Sequence, residues 1–504
     1  MRHELTANSV TPAAAGPAGD QAARLRPPST ESAIAPGGST EGSNTVNIAV
    51  LAAIALLGLA FALIMPPLQL NDEHGHFLRA YRISDGEWIS HSKAIPPALV
   101  VFLQRYPESI EMHRKVIPSE LMAELSGPAA APAVPPAMGD DASHRYLTWG
   151  ILGSSLYCPI VYLPASAGIT LARVLRLAPL GMLYMARTFN VLTLLVAVWL
   201  AFRLAPSART LVAAVALMPM TLNEAGGLSA DAVTIAISLI GFALIIRTRE
   251  GLVSGRLLAA TGATFTVWAL AKACIWAMPL LLLIPEAAFR TRRRRVSFVA
   301  GTSLAMLVAL VAWQITIHAN MEAFQTARMA RGIDASANLA FLLAHPIAYA
   351  RMLAVLVGGH TQEYFYGFIG TFGWTQFRLA WWTYPLYGAL LFLAVRSSAP
   401  GRPISASERM LFGLVFLVAA AVIHILLFVS DGVVNGGSSA GVIAFPASAG
   451  VQGRYFIPFC LAGLLALRPY RNRISRQTAQ AIVLCTAGAF DLLCLYVFRL
   501  NYYL

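Results

Sequence analysis

The chain has 504 residues, of which 57% are hydrophobic and only 12% charged, against about 25% charged in an ordinary soluble domain. Repeated apolar runs of about 18 residues or more mark membrane spans, so the composition excludes a soluble enzyme and predicts an all-α integral membrane protein embedded in a lipid bilayer. The net charge of +13 invites a nucleic-acid reading, but most arginines, TRRRRV (291–296) included, sit in short connectors between apolar runs. That is the positive-inside pattern, which orients helices during insertion, and it excludes nucleic acid as the partner.

Residues 1–45 are rich in Ala, Pro, Gly, Ser and Thr, too polar to bury, and are expected to form a disordered cytoplasmic tail. The polytopic domain, 46–504, opens with NIAVLAAIALLGLAFALIMPP, read as an uncleaved anchor. Residues 67–150 then form a long polar loop with seven Lys/Arg against ten Asp/Glu, the reverse of the connectors, and are expected outside the cytoplasm. The loop starts as a helix whose Phe77, Ala80, Tyr81 and Trp88 form an apolar side suited to a membrane surface. Its middle, SGPAAAPAVPPAMGDD, is a Pro/Ala connector.

Further spans are predicted at 180–203, 208–226, 231–247, 257–275, 277–290, 296–317, 379–396, 408–429, 452–468 and 477–500. With the first they make eleven (eleven to thirteen if marginal segments count), the N-terminus cytoplasmic and the C-terminus periplasmic. Two apolar segments, 155–176 and 339–358, break this alternation and are expected as interfacial or re-entrant helices, the second within an outer segment, 318–378. A Gly/Ser-rich outer loop, 430–451, has the composition of a lid. The five cysteines are scattered through apolar segments without a CxxC, so they read as packing residues.

This topology sends Asp72, Glu73, His76, Arg187, Asn190, Asn223, Asp231, Lys272, Trp374 and Arg454 toward one side. Ionisable groups are costly in a bilayer, so their convergence points to function. In NDEHGHFLRAYRISDGEW (71–88), Asp72 and His76 lie one helical turn apart and share a face. A carboxylate there can take a proton from an acceptor hydroxyl, although a capped helix start explains the acidic turn equally well. The E-x-x-H from Glu73 to His76 lacks the paired histidines of a zinc protease, because Asp72 holds the first ligand position and Gly75 disfavours the helix.

Arg187 and Asn190 stand near the outer end of a span, where an arginine can simply snorkel to the interface. Asn223, Glu224 and Asp231 make a second acidic loop. With Asp72 and Glu73, Asp231 could hold a divalent cation such as Mg or Mn as cofactor. Lys272, in VWALAKACIWAMP, has no acid nearby in sequence and needs an anion, for which a lipid phosphate is suited. Arg454, flanked by Gln452 and Tyr455 in VQGRYFIPF, can bind phosphate bidentately or pair with an acid elsewhere. Trp374, in GTFGW, belongs to an aromatic belt or lines a sugar pocket.

NDEHGHFLRAYRISDGEW, YCPIVYLPASAGI, ARTFNVL, LMPMTLNEAGGLSADAVTIA, ALAKACIW, GTFGW and VQGRYFIP occur in this order. Over about residues 48–470 the chain thereby resembles a bacterial membrane family, domain of unknown function 2142. The most specific parts are the D-E-x-x-H of Asp72–His76 and the Q-G-R-Y of Gln452–Tyr455. Where that family usually has proline before the acidic pair, this chain has Asn71, which alters the helix start and leaves the carboxylates in place.

The family in turn is similar to the GT-C lipid-linked glycosyltransferases, which carry an acidic motif in the first outer loop and often a second acid in a later one. Asp72/Glu73 and Asp231 match by position. The resemblance implies a polyprenyl-phosphate sugar donor, a glycan or lipid acceptor of the cell envelope, and work at the outer face of the inner membrane. Asp72 is then the base, Glu73 and His76 assist it, and Asp231 positions groups or binds a cation. Lys272 and Arg454 meet the donor phosphate, while Arg187, Asn190, Trp374, Gln452 and Tyr455 position substrate. A flippase for a lipid-linked glycan, or an O-antigen polymerase or ligase, remains open from the same residues.

Overall fold

In a bilayer every backbone N–H and C=O must bond within its own segment, so apolar runs become helices. The computed structural model describes residues 40–504 except 91–95, 107–115, 117, 127–151, 331, 398–402, 435–442, 445–449 and 468–474. The expected tail up to residue 39, the Pro/Ala connector beyond Ser126 and more than half of the Gly/Ser-rich loop therefore lie outside the described residues, while 40–45 open the helix Thr40–Ile64 rather than belonging to the tail. Among the described residues six helices are long and apolar enough to cross a membrane: Asn44–Ile64, Pro179–Leu204, Ala230–Thr248, Arg292–Thr316, Ala406–Asp431 and Gln477–Tyr502. The bent pair Ala335–Ala344 and Pro346–Ile369 would make a seventh.

Eleven spans are thus not what the helix lengths give, and the reasons are local. The 208–226 run breaks before Pro219 into Arg209–Ala216 and Pro219–Gly226. The 257–275 run ends after 16 residues, Gly255–Leu270, because Lys272 and Ala273 take left-handed backbone angles. A 3-10 segment, Ile275–Leu283, follows with Pro279 inside it. Likewise 452–468 divides into a 3-10 segment, Gly453–Phe459, containing Pro458, and a short helix, Cys460–Ala466. Proline removes an amide donor and clashes with the preceding turn, which ends or distorts a helix.

The two irregular segments also resolve locally. Residues 155–176 become a 3-10 turn, Pro159–Tyr162, and a 12-residue helix, Leu163–Val174, too short to cross alone. The second is the pair bent by 106°, hinged at His345 (φ −129°, ψ 53°). The residue before a proline is pushed out of the helical region.

Ala230–Thr248 is buried on nearly all sides, whereas Arg292–Thr316 leaves Leu304, Val308, Val311 and Ile315 exposed, the face a lipid-contacting helix presents. Long-range polar contacts tie the bundle. Gln480 Nε2 donates to Asn47 Oδ1 at 3.2 Å and Tyr503 OH to the Ile64 carbonyl at 2.9 Å, joining first and last spans. Past one end of the central helix Arg249 pairs with Glu408 at 2.7 Å, and Glu408 completes a capping box with Ser405. At the other end of that helix stands Asp231.

Candidate functional site

The acidic motif forms the helix Glu73–Ser84, and Gly75 does not interrupt it. Phe77 and Ala80 face inward against a core that includes Phe102, Val161 and Ile169, so the expected membrane-surface side is a packing side. Ser166 Oγ donates to the Ala80 carbonyl at 2.9 Å, fixing that contact. Trp88 is exposed.

The two acids of the motif have opposite environments. Asp72 precedes the helix at φ 58°, ψ 15°, and its side chain makes no capping bond. It is exposed while Asn71 and residues 73–80 around it are buried. A left-handed non-glycine residue costs on the order of 1–2 kcal/mol, a strain that persists only where the surroundings impose it.

Glu73 is fully buried. Arg187 donates Nε and Nη2 to its two oxygens at 2.8 and 2.7 Å, and the Leu228 amide donates to Oε1 at 2.9 Å. The same guanidinium binds the Ala62, Met65 and Pro66 carbonyls at the end of the first span. Asn190, one turn along, donates to the Gly227 carbonyl at 3.0 Å. Glu73, Arg187 and Asn190 together lock the first span, the acidic helix and the 227–228 turn.

His76 Nδ1 lies 2.7 Å from the Tyr162 hydroxyl. Burial above all, then the charge of Lys272, pushes its imidazole down from 6.5 to about 3. At neutral pH it is therefore an uncharged hydrogen-bonding group, poorly suited to act as a base. Because the folded value is depressed, the stability linked to His76 is complete above pH 6.5 and is lost as pH falls toward about 3. We expect melting temperatures measured from pH 7 to pH 4 to fall less steeply for His76→Asn than for the parent; identical slopes would contradict this.

The remaining charges pair across the chain. Lys272 Nζ lies 2.6 Å from Asp231 Oδ1, and 5.4 and 5.2 Å from the Tyr157 and Tyr455 ring centroids. Lys272 thus already has an anion, one the local sequence does not reveal. Arg454 Nη1 donates to Glu224 Oε1 at 3.0 Å, and Ser229 Oγ donates to Glu224 Oε2 at 2.9 Å. The Asp231 amide donates to Ser229 Oγ at 3.2 Å, so one N-capping serine holds both acids of the second loop. The fields of Lys272, Asp231 and Arg454 all reach His76, and that of Asp72 reaches Tyr157 and Tyr162. The acidic helix, the start of the central span, the broken segment at Lys272 and the QGRY segment therefore meet in one cluster.

Gln452 accepts from Asn71 Nδ2 at 3.1 Å, which binds the QGRY segment to the acidic motif. The segment also crosses the Pro346–Ile369 helix so closely that a Cβ on Gly453 would strike the Tyr364 carbonyl oxygen and the Phe368 amide. We expect Gly453→Ala to lose about 1–3 kcal/mol through overpacking and to displace Arg454. A thermal melt no lower than the parent's would count against that crossing. Trp374 lies elsewhere, in the turn of the hairpin Thr371–Phe372/Phe377–Arg378. That hairpin packs on the last span through Phe372 and Phe377 against Phe498. Among the described residues no hydrogen bond or ring contact joins Trp374 to the cluster.

Asp72, Glu73 and Asp231 do not form a cation site: Glu73 is closed by Arg187, Asp231 is engaged by Lys272, and no group of three or more metal-ligating side chains converges among the described residues. Sequence reasoning undervalued Glu224, Tyr157 and Tyr162. A glutamate inside the apolar run LMPMTLNEAGGL was the available signal for the first.

No protein of curated function and no solved structure matches the chain. The family model described as Predicted membrane protein (DUF2142) matches residues 55–463. With its apolar spans, the chain is a multi-pass membrane protein that belongs to the DUF2142 family.

Proposed function

We propose that the protein is a glycosyltransferase of GT-C type that moves a sugar from a polyprenyl-phosphate donor to a cell-envelope glycan or lipid acceptor. The observation that carries this reading is the exposed, uncapped Asp72 carboxylate, whose field reaches Tyr157 together with that of half-buried Lys272, with buried Arg454 in the same cluster. The acceptor hydroxyl gives its proton to Asp72 as its oxygen bonds to the anomeric carbon. The bond from that carbon to the phosphate oxygen breaks, and its electron pair leaves on the lipid phosphate. Lys272 and Arg454 stabilise the charge that gathers there. Neutral His76, held by Tyr162, orients the acceptor. Glu73, Arg187, Asn190 and Gln452 hold the acidic helix in place, Tyr455 flanks both cations, and Trp374 stacks on a sugar further out. No step uses a metal. In this reading the shorter segments complete an eleven-span bundle in the bacterial inner membrane, with the N-terminus cytoplasmic, the C-terminus periplasmic and the cluster on the outer side.

A carrier of the same lipid phosphate is the second reading. It is favoured by the helix interrupted at Lys272, since unwound backbone at a binding site is a transporter feature. Purified protein in lipid nanodiscs or vesicles, given a polyprenyl-phosphate sugar and envelope glycans, separates the two. Sugar transfer supports the enzyme, and translocation without transfer supports the carrier.

A further inference from the structure

We infer that a donor phosphate and Asp231 are alternative partners of Lys272. Phosphate binding takes over the ammonium, and Asp231, released, accepts a hydrogen bond from the acceptor and orients it for Asp72. This rests on the reading above that a lipid-linked phosphate enters the cluster, and it assigns Asp231 a positioning role that exists only once the donor is bound.

Four observations support the exchange. An ammonium carries three donors, yet Asp231 is the one acid within bonding distance of Lys272 among the described residues, and two aromatic rings flank the nitrogen. The Lys272 side chain keeps 19% of its surface and Asp231 only 5%, so an arriving anion meets the lysine first. Lys272 and Ala273 both sit at φ 53°, consecutive left-handed residues that are strained without glycine. Strain of this kind gathers where a segment has a task beyond folding. Finally, Arg454 is buried and its Nε has no hydrogen-bond partner among the described residues, which leaves a second cationic donor beside the first.

Charge sets the direction of the exchange. The donor is a phosphodiester with one negative charge, and the leaving lipid phosphate is a monoester carrying about −1.5 to −2 near pH 7. As the glycosidic bond breaks, the phosphate therefore competes better for Lys272, so the interaction strengthens toward the transition state. When the lipid phosphate departs, the Asp231–Lys272 pair closes again.

The test measures binding of farnesyl phosphate to the full-length protein in nanodiscs, with farnesol and inorganic phosphate as comparison ligands. Removing the competitor frees the lysine, so Asp231→Asn should bind farnesyl phosphate about tenfold more tightly, while sugar transfer falls and Lys272→Met loses binding. A merely structural Asp231 would leave affinity equal or weaker, and that result in a folded Asp231→Asn protein overturns the exchange. If Asp231→Asn does not fold, the parent is decisive: its infrared difference spectrum on adding farnesyl phosphate must show a carboxylate band shifting, and an unchanged carboxylate region overturns the proposal. Farnesyl phosphate that binds neither parent nor variant sinks the donor reading itself. Tighter binding of inorganic phosphate alone would keep the exchange and reassign its ligand to free phosphate.

Discussion

Arg187→Leu is expected to cost about 3–5 kcal/mol, because it leaves the Glu73 carboxylate buried without its partner. Both side chains have 0% exposure, and the guanidinium is shared with three carbonyls at the end of the first span. Its loss therefore strands backbone acceptors as well as a charge. Detergent-solubilised protein should melt well below the parent, and the acidic helix should become accessible to protease. Glu73→Gln should cost less, since an amide still accepts from Leu228. The double variant Glu73→Leu/Arg187→Leu should recover part of the loss, because removing both partners strands less charge than removing one. An Arg187→Leu protein with the parent's melting temperature would show that the pair is not what holds the first span to the acidic helix.

Asp72→Asn should have the opposite signature. Its side chain is exposed and makes no capping bond, so the melting temperature should stay close to the parent's. Asparagine is also at home in left-handed backbone, which preserves the turn. Under the proposed reaction the change removes the proton acceptor, and transfer should fall by about 10²–10⁴-fold with little change in donor binding. The contrast between Asp72→Asn, silent in stability, and the Glu73 and Arg187 variants, which are not, is what separates a reacting carboxylate from a holding one. Transfer by Asp72→Asn at the parental rate would falsify the assignment of the base.

Much of the bundle was readable from local composition. The six long spans coincide with predicted runs because a run of some twenty apolar residues has few alternatives to a helix in lipid. Of the five runs that failed, three contain Pro219, Pro279 or Pro458, one ends at the left-handed Lys272 and Ala273, and 379–396 yields only the 15-residue helix Thr383–Ser397. A mean over apolar residues does not register such points, and a left-handed lysine has no sequence signature at all.

For the site, local pattern was enough to single out the D-E-x-x-H and Q-G-R-Y motifs and the lone Lys272, because charge inside apolar sequence is conspicuous. Which acid meets which cation was beyond it: Glu73 reaches Arg187 across 114 positions, Lys272 reaches Asp231 across 41, and Arg454 reaches Glu224 across 230. That this is a multi-pass membrane protein with ionisable groups at a few exceptional points follows from local composition, since transfer free energies act residue by residue. That NDEHGH contributes one exposed carboxylate and one sealed one emerges only when the helices pack. Burial and partnership are properties of the packed bundle, set by which helices meet at the end of the central span.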